Sequence, residues 1–133
     1  MQEEILHEAA RVYSPKVIEL WRDPRHAGWL EHPDGYASIT GPCGDTMQIW
    51  LRVEGGLVAE ATFWTDGCGP SIVCGSMATI LARGKKLDEA AAISQQAVLD
   101  ALGGLPEESR HCALLAVNTL VAAIGEARRK EAG

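Results

Sequence analysis

The sequence lacks an excess of basic charge, any long apolar run and any basic N-terminal patch. Basic side chains number 12 against 18 acidic ones, and the formal net charge of −6 offers no general attraction to nucleic acid or to an anionic membrane. The opening residues, Met1-Gln2-Glu3-Glu4-Ile5-Leu6-His7, lack the positive patch and apolar stretch of a secretory signal. The clean apolar run near the C-terminus, Ala113 to Val117, is far too short to span a bilayer. The expectation is therefore a cytoplasmic protein with neither a nucleic-acid nor a membrane partner. No internal repeat, low-complexity segment or linker divides the chain, so residues 1–133 read as one domain. There is also no C-x-x-C pair, which removes the signature of a zinc-ribbon knuckle and of a thioredoxin motif. In a reducing compartment the four cysteines read as metal ligands or reactive thiols rather than as a disulfide framework.

Hydrophobic periodicity supplies the elements. Ile5, Leu6, Ala9 and Val12 predict a first short helix over 3–12. Ser14-Pro15 reads as an N-cap with proline at the first helical position, opening a second helix over Lys16 to Trp21 that stops near Asp23-Pro24. Arg25 to Gly35 reads as a loop. In Met47 to Val53 the odd positions are all apolar, and Leu57 to Phe63 alternates again, predicting a hairpin. A three-residue loop, Glu54-Gly55-Gly56, would pair Val53 with Leu57 and Met47 with Phe63. Tyr36 to Ile39 adds a third strand. Helices follow over Ser71 to Arg83, Leu87 to Ile93, from the Ser94 cap to Leu102, and over Arg110 to Lys130 with an apolar stripe of Leu114, Val117, Leu120, Val121 and Ile124. Strands before a run of helices predict an α+β fold: a small antiparallel sheet of about three strands packed against several helices.

Three cysteines fall at element edges. Cys43 lies in Gly41-Pro42-Cys43-Gly44-Asp45, Cys68 in Asp66-Gly67-Cys68-Gly69-Pro70, and Cys112 follows His111. Cys68 and Cys112 stand where helices are predicted to start, and free N–H groups there favour a thiolate. Asp45 and His111 could complete a mixed sulfur, imidazole and carboxylate site, which suits zinc or iron–sulfur chemistry and does not suit magnesium or calcium. Spacing alone leaves open whether these groups share a metal. Cys74 is six residues past Cys68, about 240° around an ideal helix, and reads as a buried packing thiol. His7 and His32 read as surface residues. Trp50 and Trp64 fall on the polar face of the hairpin.

The ordered motifs say more than the spacings. Tyr13-Ser14-Pro15-Lys16-Val17-Ile18, Asp23-Pro24-Arg25-His26-Ala27-Gly28, Cys43-Gly44-Asp45-Thr46-Met47, Gly67-Cys68-Gly69, Ser76, Leu87-Asp88-Glu89-Ala90, Leu102-Gly103-Gly104-Leu105-Pro106 and His111-Cys112 occur in sequence. Together they resemble the iron–sulfur cluster assembly scaffolds of the IscU and NifU N-terminal type over almost the whole chain. The resemblance implies the IscU/SufU-like fold and a scaffold, not an enzyme. On such a scaffold a transient [2Fe–2S] cluster is built from iron and persulfide sulfur and passed to apoproteins. The implied partners are a cysteine desulfurase of the IscS or NifS type, recipient apoproteins, a ferredoxin and a frataxin-like protein. The implied ligands are Cys43, Asp45, Cys68, His111 and Cys112, with Zn2+ able to occupy the same site and Cys112 the persulfide acceptor. Asp45 would soften the site, because iron in such clusters favours sulfur over a carboxylate.

Two departures from the family pattern stand out. Leu105-Pro106-Glu107-Glu108-Ser109 lacks the Leu-Pro-Pro-Val-Lys sequence read by the dedicated Hsp70-type chaperone, which argues against that partner. His26 replaces the usual asparagine and is expected in a loop, not as a ligand. The competing readings are a zinc-bound sulfurtransferase of the SufU type, disfavoured by the compact Cys68–Cys112 interval, an electron carrier using all four cysteines, and a structural zinc domain.

Overall fold

The computed structural model describes residues 13–67 and 69–132. The helix expected over 3–12, with His7, lies outside them. Helix α1 (Pro15–Arg22) is followed by strands β1 (Gly35–Thr40), β2 (Thr46–Glu54) and β3 (Leu57–Thr65). Then come α2 (Gly69–Ala82), α3 (Leu87–Ala91), α4 (Gln95–Leu102), a 3-10 turn (Glu107–Ser109) and α5 (Arg110–Ala132). The strands form one antiparallel sheet in the order β1-β2-β3. Helix α5 packs on β1 and β2, α2 packs on β3, and the two helices pack on each other. The α+β expectation holds, including the third strand.

Local chemistry explains the boundaries. The Ser14 hydroxyl accepts from the Val17 N–H, and Pro15 occupies the first turn of α1. The Ser94 hydroxyl accepts from Ala97, and Gly103, at φ 79°, ends α4 in the left-handed conformation. The hairpin register differs from the expected one. Glu54 pairs with Leu57 across a two-residue Gly55-Gly56 turn, Val53 pairs with Val58 and Ile49 with Phe63. Both glycines have positive φ, 59° and 77°, the backbone of a primed hairpin turn that matches strand twist. Arg52 pairs with Glu60 and Val53 with Val58, so Ala59 is an extra residue in β3. That bulge puts Val58 in the core and leaves Leu57 40% exposed.

The α5 stripe also shifts. Val117, Leu120 and Ile124 are buried, but Leu114 and Val121 are 44% and 42% exposed. Ala113, Ala116, Ala123 and Ala127 take the inner face instead, all at 0%. Small side chains win there because β1 runs so close to the helix. An ideal Cβ on Gly35 would stand 2.3 Å from the Ala123 carbonyl oxygen.

The outer edge of β3 is covered at both ends. Phe63 donates to the His26 carbonyl and accepts from Gly28, while Val58 donates to the Lys85 carbonyl and accepts from Gly84. The 25–28 loop is tied to α2 by Ser76, whose hydroxyl accepts from the Arg25 N–H and donates to the Arg25 carbonyl, each at 2.7 Å. His32 is exposed. On the outer face of the sheet Trp50 meets the ring of Tyr36 at 5.3 Å between centroids. Trp64 is 46% exposed. No helix among the described residues is long and apolar enough to cross a membrane.

Candidate functional site

Three chain segments meet at one end of the molecule. The first is the turn between β1 and β2. Gly41 donates to the Asp45 carbonyl at 2.8 Å and Gly44 to the Gly41 carbonyl at 3.0 Å, while the Thr40 and Thr46 hydroxyls close the base at 2.7 Å. Gly44 sits at φ 94°, which only glycine adopts without strain. This turn leaves Cys43 exposed and holds Asp45 half-buried.

The second segment joins β3 to α2. The Asp66 carboxylate accepts from the Thr46 N–H at 2.8 Å, and Gly67 donates to the Thr65 hydroxyl at 3.1 Å. A Cβ on Gly67 would meet the Ser71 hydroxyl at 2.5 Å and Asp45 Oδ2 at 2.8 Å. One on Gly69 would meet the Trp21 ring at 2.4 Å. The two glycines that flank Cys68 therefore let this loop lie between Asp45 on one side and α1 on the other. Cys68 itself falls outside the described residues.

The third segment is the start of α5. Cys112 is 5% exposed and His111 is exposed beside it, with Nε2 3.7 Å from Cys112 Sγ. The Ser71 hydroxyl joins this pair to the first segment, lying 3.5 Å from Cys112 Sγ and 3.2 Å from Asp45 Oδ2. Asp45, His111 and Cys112 thus share one connected cluster, from positions far apart in the sequence. Cys43 sits on the same turn as Asp45 but at its solvent side. Among the described residues, no three His, Cys, Asp or Glu side chains stand close enough to hold a metal ion together. The donor types nonetheless fit iron or zinc, since sulfur, imidazole and carboxylate are the ligands those metals take.

One sequence expectation weakens here. The 3-10 turn Glu107–Ser109 runs straight into α5, and Arg110 already donates to the Glu107 carbonyl. Cys112 therefore lies past the first free N–H groups, and its environment comes from His111 and Ser71 more than from a helix end. Ser71 itself carries no motif expectation. Its signal in the sequence was only its nearness, a hydroxyl three residues after Cys68. Cys74 is fully buried, and burial, with Cys112 nearby, pushes its thiol far above the ordinary range. That suits packing rather than ligation.

His26 is no part of this cluster. It sits at φ 67°, a region that Asn, Asp and His tolerate better than other side chains. Its Nδ1 is buried with no partner among the described residues. Burial, then the Arg83 and Arg25 charges, lowers its pKa below 6.5. The neutral form is favoured in the folded chain, so below about pH 6.5 the unfolded chain takes up the proton first and stability falls with pH. His26→Asn should match the parent near pH 7.5 and lose less stability between pH 7 and 5. Equal pH slopes in denaturant melts would refute this.

Comparison with known proteins bears on the same residues. The family described as the NifU-like N terminal domain matches residues 12–132. The iron-sulfur cluster assembly scaffold proteins IscU 1 and IscU 2 of Archaeoglobus fulgidus are 41% identical over 120 residues, covering 90% of this chain and 78% of theirs. The IscU of Haemophilus influenzae is 37% identical over 124 residues, covering 90% of this chain and 98% of its own. The crystal structure of an N-terminal NifU-like protein from Brucella abortus superimposes with a TM-score of 0.70 at 21% identity, covering 90% of this chain and 96% of that one. A protein assigned to the SUF system of Fervidobacterium islandicum gives 0.69 at 19% identity, covering 87% and 98%; both likenesses are of fold. Family match, relatives and fold agree, and the chain belongs to the IscU and NifU N-terminal family of iron–sulfur cluster assembly scaffolds.

Proposed function

We propose that this chain, acting as one scaffold domain in the cytoplasm, assembles a [2Fe–2S] cluster and hands it to apoproteins without independent turnover. The observation that carries the reading is the Asp45–Ser71–Cys112 connection with His111 at its edge. A carboxylate oxygen, a sulfur and a ring nitrogen are linked through one buried hydroxyl, and donors of these kinds suit both holding a cluster and releasing it. The 41% identity to the Archaeoglobus scaffolds supports the same reading.

The chemistry assigned to this chain is sulfur capture. The Cys112 thiolate attacks the outer sulfur of a desulfurase persulfide. A new S–S bond forms on Cys112, the donor's S–S bond breaks, and the desulfurase cysteine leaves as a thiolate. The His111 ring nitrogen is placed to take the Cys112 proton. Reduction of that sulfur to sulfide consumes two electrons, which we assign to a ferredoxin. Cys43, Cys68 and Asp45 hold iron, which a frataxin-like protein would help supply. Zn2+ would compete for the same donors.

The test is anaerobic reconstitution with a cysteine desulfurase, cysteine and ferrous iron, followed by transfer to apo-ferredoxin. Formation and transfer of a [2Fe–2S] chromophore support the reading. A bound cluster that never transfers makes the chain an electron carrier. Bound zinc with desulfurase stimulation and no cluster makes it a sulfurtransferase. On Asp45→Ala the assembled cluster should persist severalfold longer, because the weaker oxygen ligand is gone; faster bleaching would contradict the softening role.

A further inference from the structure

We infer that Ser71 is a positioning residue of the site, holding the Asp45 carboxylate and the Cys112 sulfur as neighbouring donors. Ser71 lies in the first turn of α2 and is fully buried. A buried hydroxyl is kept only where it is hydrogen-bonded, and here both contacts are site residues: Asp45 Oδ2 at 3.2 Å and Cys112 Sγ at 3.5 Å. The hydroxyl has one proton. Both Asp45 Oδ2 and Cys112 Sγ lie within donor reach of it, so the carboxylate and the sulfur share this one donor.

The arrangement spans three separate parts of the fold. Asp45 belongs to the β1–β2 turn and Cys112 to α5, and Ser71 of α2 hydrogen-bonds to both. Gly67 strengthens the case: with a side chain there, Cβ would stand 2.5 Å from the Ser71 hydroxyl. Gly67 is therefore packed directly against this hydroxyl. Without the hydroxyl the carboxylate is free to turn to solvent, and the oxygen and sulfur lose their common reference. Removing an outer partner of this kind costs about tenfold or more in metal affinity.

The proposal rests on the scaffold reading only in taking this cluster as the metal site, and its test uses Co2+ alone. Apo-protein is titrated anaerobically with Co2+ while the sulfur-to-cobalt charge-transfer absorbance is followed, in the parent, Ser71→Ala, Asp45→Ala and the double variant. The expected result is about tenfold weaker binding for Ser71→Ala, with the same substitution changing affinity less than about threefold once Asp45 is alanine. Parental affinity in Ser71→Ala overturns the proposal. So does an equal drop in both backgrounds, the pattern that a general loss of fold would produce. If the coupling appears and the parent still assembles no transferable cluster, the scaffold reading fails and the positioning role stands.

Discussion

Serine at position 112 is expected to lower persulfide capture from a cysteine desulfurase by about a hundredfold, since a serine hydroxyl stays protonated at neutral pH and is a poor nucleophile toward sulfur. The geometry poses a real contest for this role. Cys43 is exposed at the tip of a glycine-rich turn, whereas Cys112 is 5% exposed. Access favours the former and activation the latter. Among the described cysteines, Cys112 has an imidazole nitrogen at 3.7 Å able to take its proton and a hydroxyl at 3.5 Å able to orient its sulfur. Reactivity of a thiol follows thiolate character as well as exposure, and a docked desulfurase can supply the access. Mass spectrometry of the apo-protein after a brief anaerobic incubation reads the added sulfur directly. Capture at the parental rate by Cys112→Ser, with loss in Cys43→Ser, would reverse the assignment and make the exposed cysteine the first acceptor.

Alanine at position 35 is expected to cost about 3 kcal/mol, the upper part of the range for overpacking a close contact. For a chain of this size that is roughly a 10 °C fall in melting temperature. The new Cβ would lie 2.3 Å from the Ala123 carbonyl oxygen and 3.0 Å from the Ala127 Cβ. Neither is the end of a flexible side chain, so β1 and α5 must move apart along their whole contact. Gly125→Ala is the matched control. Its Cβ meets nothing nearer than the end of the Arg129 side chain at 3.8 Å, and helix propensity alone should stabilise it by up to about 1 kcal/mol. Equal melting temperatures for the two variants would show that the strand and helix are not held at the spacing described.

Features set by a few adjacent residues were readable in the linear chain. Ser14-Pro15, Ser94 and Gly103 mark helix ends because capping is satisfied within one turn, and the structure uses them so. The alternation of Met47, Ile49 and Leu51 locates β2 because side chains in a strand face opposite sides in turn. The ordered motifs around Cys43, Cys68 and Cys112 pointed to the family that the comparisons then established.

What the sequence by itself determined was therefore the order and kind of the elements, and the family. Tertiary packing decided the rest. The bulge at Ala59 exchanged Leu57 for Val58 in the core. The close approach of β1 turned α5 onto its alanines and left Leu114 and Val121 outside. Ser71 acquired its two partners from a turn 26 residues before it and a helix 41 residues after it. The physical reason is common to all three. Caps and alternation are satisfied by neighbours along the backbone, whereas register, approach distance and a shared hydroxyl depend on surfaces that exist only once distant segments have packed.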